Sequence, residues 1–151
     1  MKYIIILIVV FMVVCGCTKK TRYEPLYGKW KSDKKLSLEW YDSCTNKLSM
    51  KRQEVEQITG HSTVCFFDNG KGKSVRDEYI LIKDGAKSVK PRYLEDFVYR
   101  INNVVSNRID ITTKSDEIPY FSTYLFFQDP NVFWIYLDNP PGPIEYFRRI
   151  E

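Results

Sequence analysis

Histidine is almost missing from this chain: His61 is the only one in 151 residues. With no second His or Cys at ligand spacing around it, the sequence assembles no recognisable metal-binding set, and no cofactor is expected. P-loop, HExxH and EF-hand patterns are missing too, and with them the common short signatures of phosphate, zinc and calcium chemistry. Neither sign of charge dominates. The formal net charge is +4, one unit of it from Lys2, which falls short of the footprint of a nucleic-acid binder, so no nucleic-acid partner is expected. There is no internal repeat and no low-complexity tract. Long apolar runs occur in one place only, the N-terminus.

From Tyr3 to Val14 the residues are almost all Ile, Leu, Val, Phe and Met. As a helix this run reaches roughly 20 Å, against about 30 Å for a bilayer core, so it is too short to span comfortably. With Lys2 before it and a small residue after it, the segment reads as an export signal covering residues 1–16. Val14-Cys15-Gly16-Cys17 resembles the lipobox of bacterial lipoproteins, in which a small residue precedes a cysteine that is lipidated and becomes residue one. The resemblance implies that Cys15, an unusual occupant of its position, is discarded and that Cys17 carries the lipid. It also implies residence in the cell envelope, and Thr18 after the anchor implies the outer membrane, facing the periplasm. Residues 17–26 then form a tether. Lys19, Lys20 and Arg22 either add attraction to anionic headgroups, about 1 kcal/mol each, or simply keep it solvated.

Of the four cysteines, Cys44 and Cys65 remain for the domain itself. In an oxidising compartment the expectation is that they pair, closing a loop of about 20 residues worth on the order of 3 kcal/mol; the alternative is a metal or catalytic thiol. The domain, residues 27–151, is large enough for one core and not two.

Aromatic residues make up 15% of the chain, and Val, Ile, Tyr, Phe and Thr come in short runs divided by turn signals. That pattern predicts an all-β, mainly antiparallel domain. Asp68-Asn69-Gly70 marks a hairpin between Thr63–Asp68 and Lys73–Lys83, Asp84-Gly85 another turn, and Ser106-Asn107 joins Phe97–Ile101 to Arg108–Thr112. Tyr120–Phe127 and Val132–Leu137 are apolar on both faces, so they are covered outside as well or present a sticky surface. Glu145–Ile150 is a closing strand. One segment departs from the pattern: Asn46–Ile58 sets Leu48, Val55 and Ile58 on one helical face, pairs Arg52 with Glu56, and stops at Gly60.

Tyr27-Gly28-Lys29-Trp30-Lys31 is similar to the Gly-x-Trp signature of lipocalins and related calycin barrels. The resemblance implies a barrel of about eight strands; the one early helix read from Asn46–Ile58 departs from the standard lipocalin, whose helix follows the barrel strands. In those folds the Trp plugs the closed end and a basic residue of the last strand packs across it, which points to Gly28, Trp30 and one of Arg148 and Arg149. A guanidinium over an indole is worth roughly 0.5–2 kcal/mol. More broadly the chain resembles a group of small bacterial lipoproteins, through the lipobox, Gly-Lys-Trp-Lys-Ser and the Glu-Tyr-Phe-Arg-Arg-Ile ending.

No enzyme is expected. His61 stands four residues before Cys65, but no third group orients the pair. Asp77-Glu78 and Asp116-Glu117 are adjacent, and neighbours on a strand point to opposite faces. The candidate binding surfaces are the basic hairpin Lys83, Lys87, Lys90 and Arg92, and a Pro-rich loop with Pro141 beside Trp134. The short strands and bulky aromatics suggest a filled interior. That favours a lipid-anchored envelope protein that binds a protein partner, as inhibitor, immunity or assembly factor. The alternative is a carrier of a small apolar ligand, with Tyr99, Ile109, Ile111 and Tyr124 lining a hollow barrel.

Overall fold

The computed structural model describes residues 23–44, 48–137 and 142–151. A single 3-10 turn (Glu24–Leu26) leads into β1 (Gly28–Ser32), followed by helices α1 (Lys34–Ser43) and α2 (Arg52–Ile58). The remaining strands are β2 (Ser62–Phe66), β3 (Lys71–Arg76), β4 (Tyr79–Lys83), β5 (Ala86–Lys90), β6 (Tyr93–Val105), β7 (Arg108–Lys114), β8 (Phe121–Asp129), β9 (Val132–Tyr136) and β10 (Ile144–Arg149). Eight of them close into an antiparallel barrel in the order β1-β10-β9-β8-β7-β6-β3-β2, with β2 pairing back to β1. Strands β4 and β5 form a separate hairpin. Closure leaves the barrel no free edge.

Local chemistry sets most of the corners. The β4–β5 turn puts Asp84 at φ 49° and Gly85 at φ 81°, the positive values that a two-residue hairpin turn demands. Strand β6 is 13 residues long and bends through a bulge between Ile101 and Asn103, which lets one strand serve two stretches of wall. Two early helices are present rather than one. The additional one, α1, is announced by Asp33, whose Oδ1 accepts from the Leu36 N–H at 3.0 Å, the usual N-cap geometry. Helix α1 packs on the outside of β10, and buried Ser37 donates to Asp33 O and accepts from the Tyr146 N–H. Of the helix expected over 46–58, residues 46 and 47 lie outside the described residues, and among the rest the helix runs over Arg52–Ile58. It buries Val55, pairs Arg52 with Glu56 at 3.3 Å, and has Gly60 just past its end at φ 90°.

One end of the barrel is packed solid. Trp30 is fully buried, and its Nε1–H donates to Leu26 O at 2.9 Å, tying the 3-10 turn to the barrel end. Phe127 and Phe133 meet the indole edge-on at 5.8 and 4.8 Å between ring centroids, the geometry the aromatic quadrupole favours. Arg149, the cross-strand partner of Trp30, lays its guanidinium 4.4 Å from the indole centroid. Gly28 sits beneath it at φ 130°, where a Cβ would come within 2.9 Å of Arg149 Nη1 and 2.5 Å of Glu151 O. Arg148 alternates outward and pairs with Asp33 Oδ2 at 3.0 Å.

The expected Cys44–Cys65 disulfide is not formed: both residues are free thiols. Helix α1 carries Cys44, its C-cap residue, over β10, whereas Cys65 lies on β2 opposite Lys29 and Lys73. Strand β1 separates those two strands. Two strand spacings are about 10 Å, more than the span of roughly 4.4–6.8 Å between Cα atoms that a disulfide bridges. A second expectation is also revised, that of a filled interior, because the aromatic side chains are divided between the two faces. Phe126 stacks on Trp134 at 4.1 Å, and both contact Tyr136, on the outside of β8 and β9.

Candidate functional site

Above the plug the barrel is hollow. A cavity of about 260 Å³ lies between its walls, just below the usual range for small-molecule sites. It exists because the inward positions of the upper half carry small side chains. Ser62, Ser74, Thr113, Ser115 and Thr123 line it where the lower half has Trp30, Phe127, Tyr99 and Ile109.

The lining is divided by chemistry. Ser62, Arg76, Ser74 and Glu95, on β2, β3 and β6, form a polar wall. Its register is explicit: Ser62 pairs with Arg76 and Arg76 with Tyr93, and in the next layer Val64 pairs with Ser74 and Ser74 with Glu95. Ile111, Leu125, Ile135 and Phe147, with Phe121 and Ile118 at the rim, form an apolar wall from β7, β8, β9, β10 and the β7–β8 connection. Glu145 enters from β10, Thr113, Ser115 and Thr123 add hydroxyls on the β7–β8 side, and Val64, Phe66 and Phe97 add carbon on the β2–β6 side.

Glu145 is only 1% exposed. Ser32 Oγ donates to its Oε1 and accepts from the Gly60 N–H at 2.7 Å. Burial pushes the Glu145 carboxyl above its ordinary range, opposed by the Ser32 hydrogen bond, by the charge of Arg76 and by the Gly60 backbone. Glu95 presents an oxygen, Oε1, that is sealed from solvent and has no hydrogen-bond partner among the described residues. Neighbouring Tyr93 donates its hydroxyl hydrogen to Glu117 Oε2 at 3.1 Å and lies within hydrogen-bonding reach of the Glu95 carboxyl as well. Desolvation and the two glutamates raise the Tyr93 hydroxyl to about 12. Arg76, on the rim, donates to Ser62 Oγ at 3.3 Å.

Of the residues expected to line a hollow barrel, only Ile111 reaches the cavity. Tyr99 and Ile109 belong to the packed half, Tyr99 donating to Phe67 O at 2.6 Å. Tyr124 is half exposed on the outside, under Arg108 at 5.0 Å. Lys83, Lys87 and Lys90 do share the β4–β5 hairpin, with Arg92 just after it. Alternation puts Lys83 and Lys90 on one face and Lys87 on the other, so they make no single patch. Trp134 stacks on Phe126 instead of joining a rim, and Pro141 and Cys17 lie outside the described residues. His61 stacks on Tyr79 at 5.1 Å between centroids. It is four residues of extended chain, about 13 Å, from Cys65. Burial raises the Cys65 thiol, partly offset by Lys29 and Lys73.

The sequence reading missed Arg76, Glu95 and Glu145. The signal for Glu145 was available: once Arg149 faces inward, alternation along β10 sends Phe147 and Glu145 inward as well. The same rule along β6 runs back from Tyr99 through Phe97 to Glu95.

No protein family, curated protein or solved structure matches this chain. Among the described residues no helix is long and apolar enough to cross a membrane, and no group of His, Cys, Asp and Glu is arranged to hold a metal ion.

Proposed function

We propose that this is a lipid-anchored protein of the cell envelope whose barrel takes a small amphipathic molecule into its open half. The observation that carries the reading is the cavity of about 260 Å³, lined by charged and hydroxyl groups together with apolar side chains. A filled barrel has no such space, and this departs from the partner-binding role that the composition favours. The closed end fits an anchor at Cys17. Tyr23, the first described residue, packs against Phe127 of the plug at 5.8 Å between centroids, so the chain from Cys17 enters the domain at its closed end.

The test is saturable binding of an uncharged environment-sensitive dye, N-phenyl-1-naphthylamine, to the purified protein. One dye per chain is expected, and Thr123→Trp, which fills the cup from β8, should abolish binding while the circular dichroism spectrum stays unchanged. Binding that survives Thr123→Trp, or never saturates, would refute the cup as the site. For the anchor, mass spectrometry of the native protein should find Cys17 acylated, and Cys17→Ser should release the protein from the membrane fraction.

A second reading, a protein partner, is favoured by the β4–β5 hairpin. It stands apart from the barrel sheet and exposes Ile80, Ile82 and Val89 on one face. Ile80→Asp with Ile82→Asp should then eliminate a co-purifying protein and leave dye binding intact.

A further inference from the structure

Resting on the reading of the cup as a ligand site, the geometry points to the class of its occupant: a small amphiphile with an ammonium head group, held between Glu95 and Glu145.

The two carboxyl groups come from opposite walls. In the closed order, β6 and β10 stand four strands apart in either direction, and both glutamates line the same cavity. Neither belongs to an ion pair of the described residues. Glu95 Oε1 is sealed from water without a donor, and a buried acceptor left without a donor is destabilising, the more so when charged. That oxygen is satisfied by a donor brought into the cup. An ammonium offers three hydrogens and makes charge-assisted bonds, roughly twice as strong as neutral ones.

Charge counting selects the cation. Two carboxyl groups face one guanidinium, Arg76, and that guanidinium is exposed at the rim and already bonded to Ser62. The deep half of the polar lining is therefore acceptor-rich. An anionic head drawn past Arg76 into the cavity finds Glu95 and Glu145 and no further cation among the lining residues, whereas an ammonium is attracted by both. The tail follows from the other wall, where Ile111, Leu125, Ile135 and Phe147 offer carbon to it beside the hydroxyls of Thr113 and Thr123. A cavity of about 150 Å³ holds a benzene ring, so this one admits a chain of roughly eight carbons with its head.

The experiment compares three probes with one tail, n-octylamine, n-octanol and octanoate, by calorimetric titration at neutral pH on the full mature protein. Octylamine, cationic there, should bind about tenfold or more tighter than octanol, the worth of one charge-assisted hydrogen bond. Octanoate should bind weakest. Glu95→Gln and Glu145→Gln, each isosteric, should reduce octylamine affinity by about tenfold while octanol affinity changes less than about threefold. Octanoate binding best would overturn the inference and assign the head group to Arg76. An amine preference that persists in the double variant would also overturn it, as attraction from elsewhere on the surface. If the naphthylamine dye still binds in either case, the cup stands as a ligand site and only the head-group assignment falls. If neither dye nor octyl probes bind, the cup reading itself falls.

Discussion

Replacing Trp30 tests whether the closed end of the barrel depends on one side chain. The indole is fully buried, holds the 3-10 turn through Nε1–H to Leu26 O at 2.9 Å, and supports Arg149 at 4.4 Å. Trp30→Ala removes the ring and leaves a cavity, which costs about 3–5 kcal/mol in comparable cores. It also leaves the Leu26 carbonyl without its donor and takes the ring from under the Arg149 guanidinium, so the upper part of that range applies. Trp30→Phe keeps most of the apolar volume but deletes the donor. Leaving the Leu26 carbonyl unpaired costs about 1–3 kcal/mol. For a domain of this size each kcal/mol moves Tm by roughly 3–5 °C, so Trp30→Phe should lower Tm by about 5–10 °C and Trp30→Ala by about twice that. The assay is thermal unfolding followed by circular dichroism, with Trp134→Ala as the internal comparison. Trp134 stacks on Phe126 on the outside of the barrel, and its removal should cost only about 1 kcal/mol, the worth of an aromatic pair. A Trp30→Ala protein no less stable than Trp134→Ala would refute the account of the plug.

Glu145 should make folding stability depend on pH. Burial raises its folded pKa above the unfolded value near 4.5. Its contribution is therefore fully present below that value and is lost as pH rises through the raised one, at about 1.4 kcal/mol for each pH unit between the two. Denaturant titrations across that window should show the decline, and Glu145→Gln should flatten it; an unchanged slope would contradict burial as the cause. Gly72→Ala should destabilise by about 1–3 kcal/mol as an overpacked site, because its Cβ would lie 2.2 Å from the Phe97 ring and 2.8 Å from Cys65 O. Chemical denaturation checks it, and a neutral effect would mean that the Phe97 ring moves aside freely. Cys44 and Cys65 should each take one alkylating label in the native protein, Cys65 more slowly than a free cysteine because burial disfavours its thiolate. A peptide linking the two, found by mass spectrometry without reduction, would contradict the placement of α1 over β10.

Much of the barrel was legible because its signals are local. Asp68-Asn69-Gly70 and Asp84-Gly85 turn the chain whatever lies beyond them, and Ile109 and Ile111 show the alternation of a wall strand. Helix α1 was missed, although Asp33 stands ready to cap it, because Leu36 and Leu38 beside Trp40 and Tyr41 read equally well as strand. The disulfide was inferred from a cysteine count and a compartment. Neither says which strand lies under the end of a helix.

The candidate site was hidden for a different reason. Alternation shows that one face of a strand is inside but not which one, and β8 and β9 are aromatic on both faces. Tyr124, Phe126 and Trp134 could equally have filled the barrel, and the register that turns them outward is set by pairing with β7 and β10. Residue order was enough for the strands and their turns, because each depends on neighbours in the chain or on a period of two. The meeting of Trp30 with Arg149 was implied only by the Gly-x-Trp resemblance, and it is made by the pairing of β1 with β10. The hollow upper half, and the facing of Glu95 and Glu145 across it, came from the assembled barrel. Those facts depend on ring closure, which brings residues 50 positions apart onto opposite walls of one cavity.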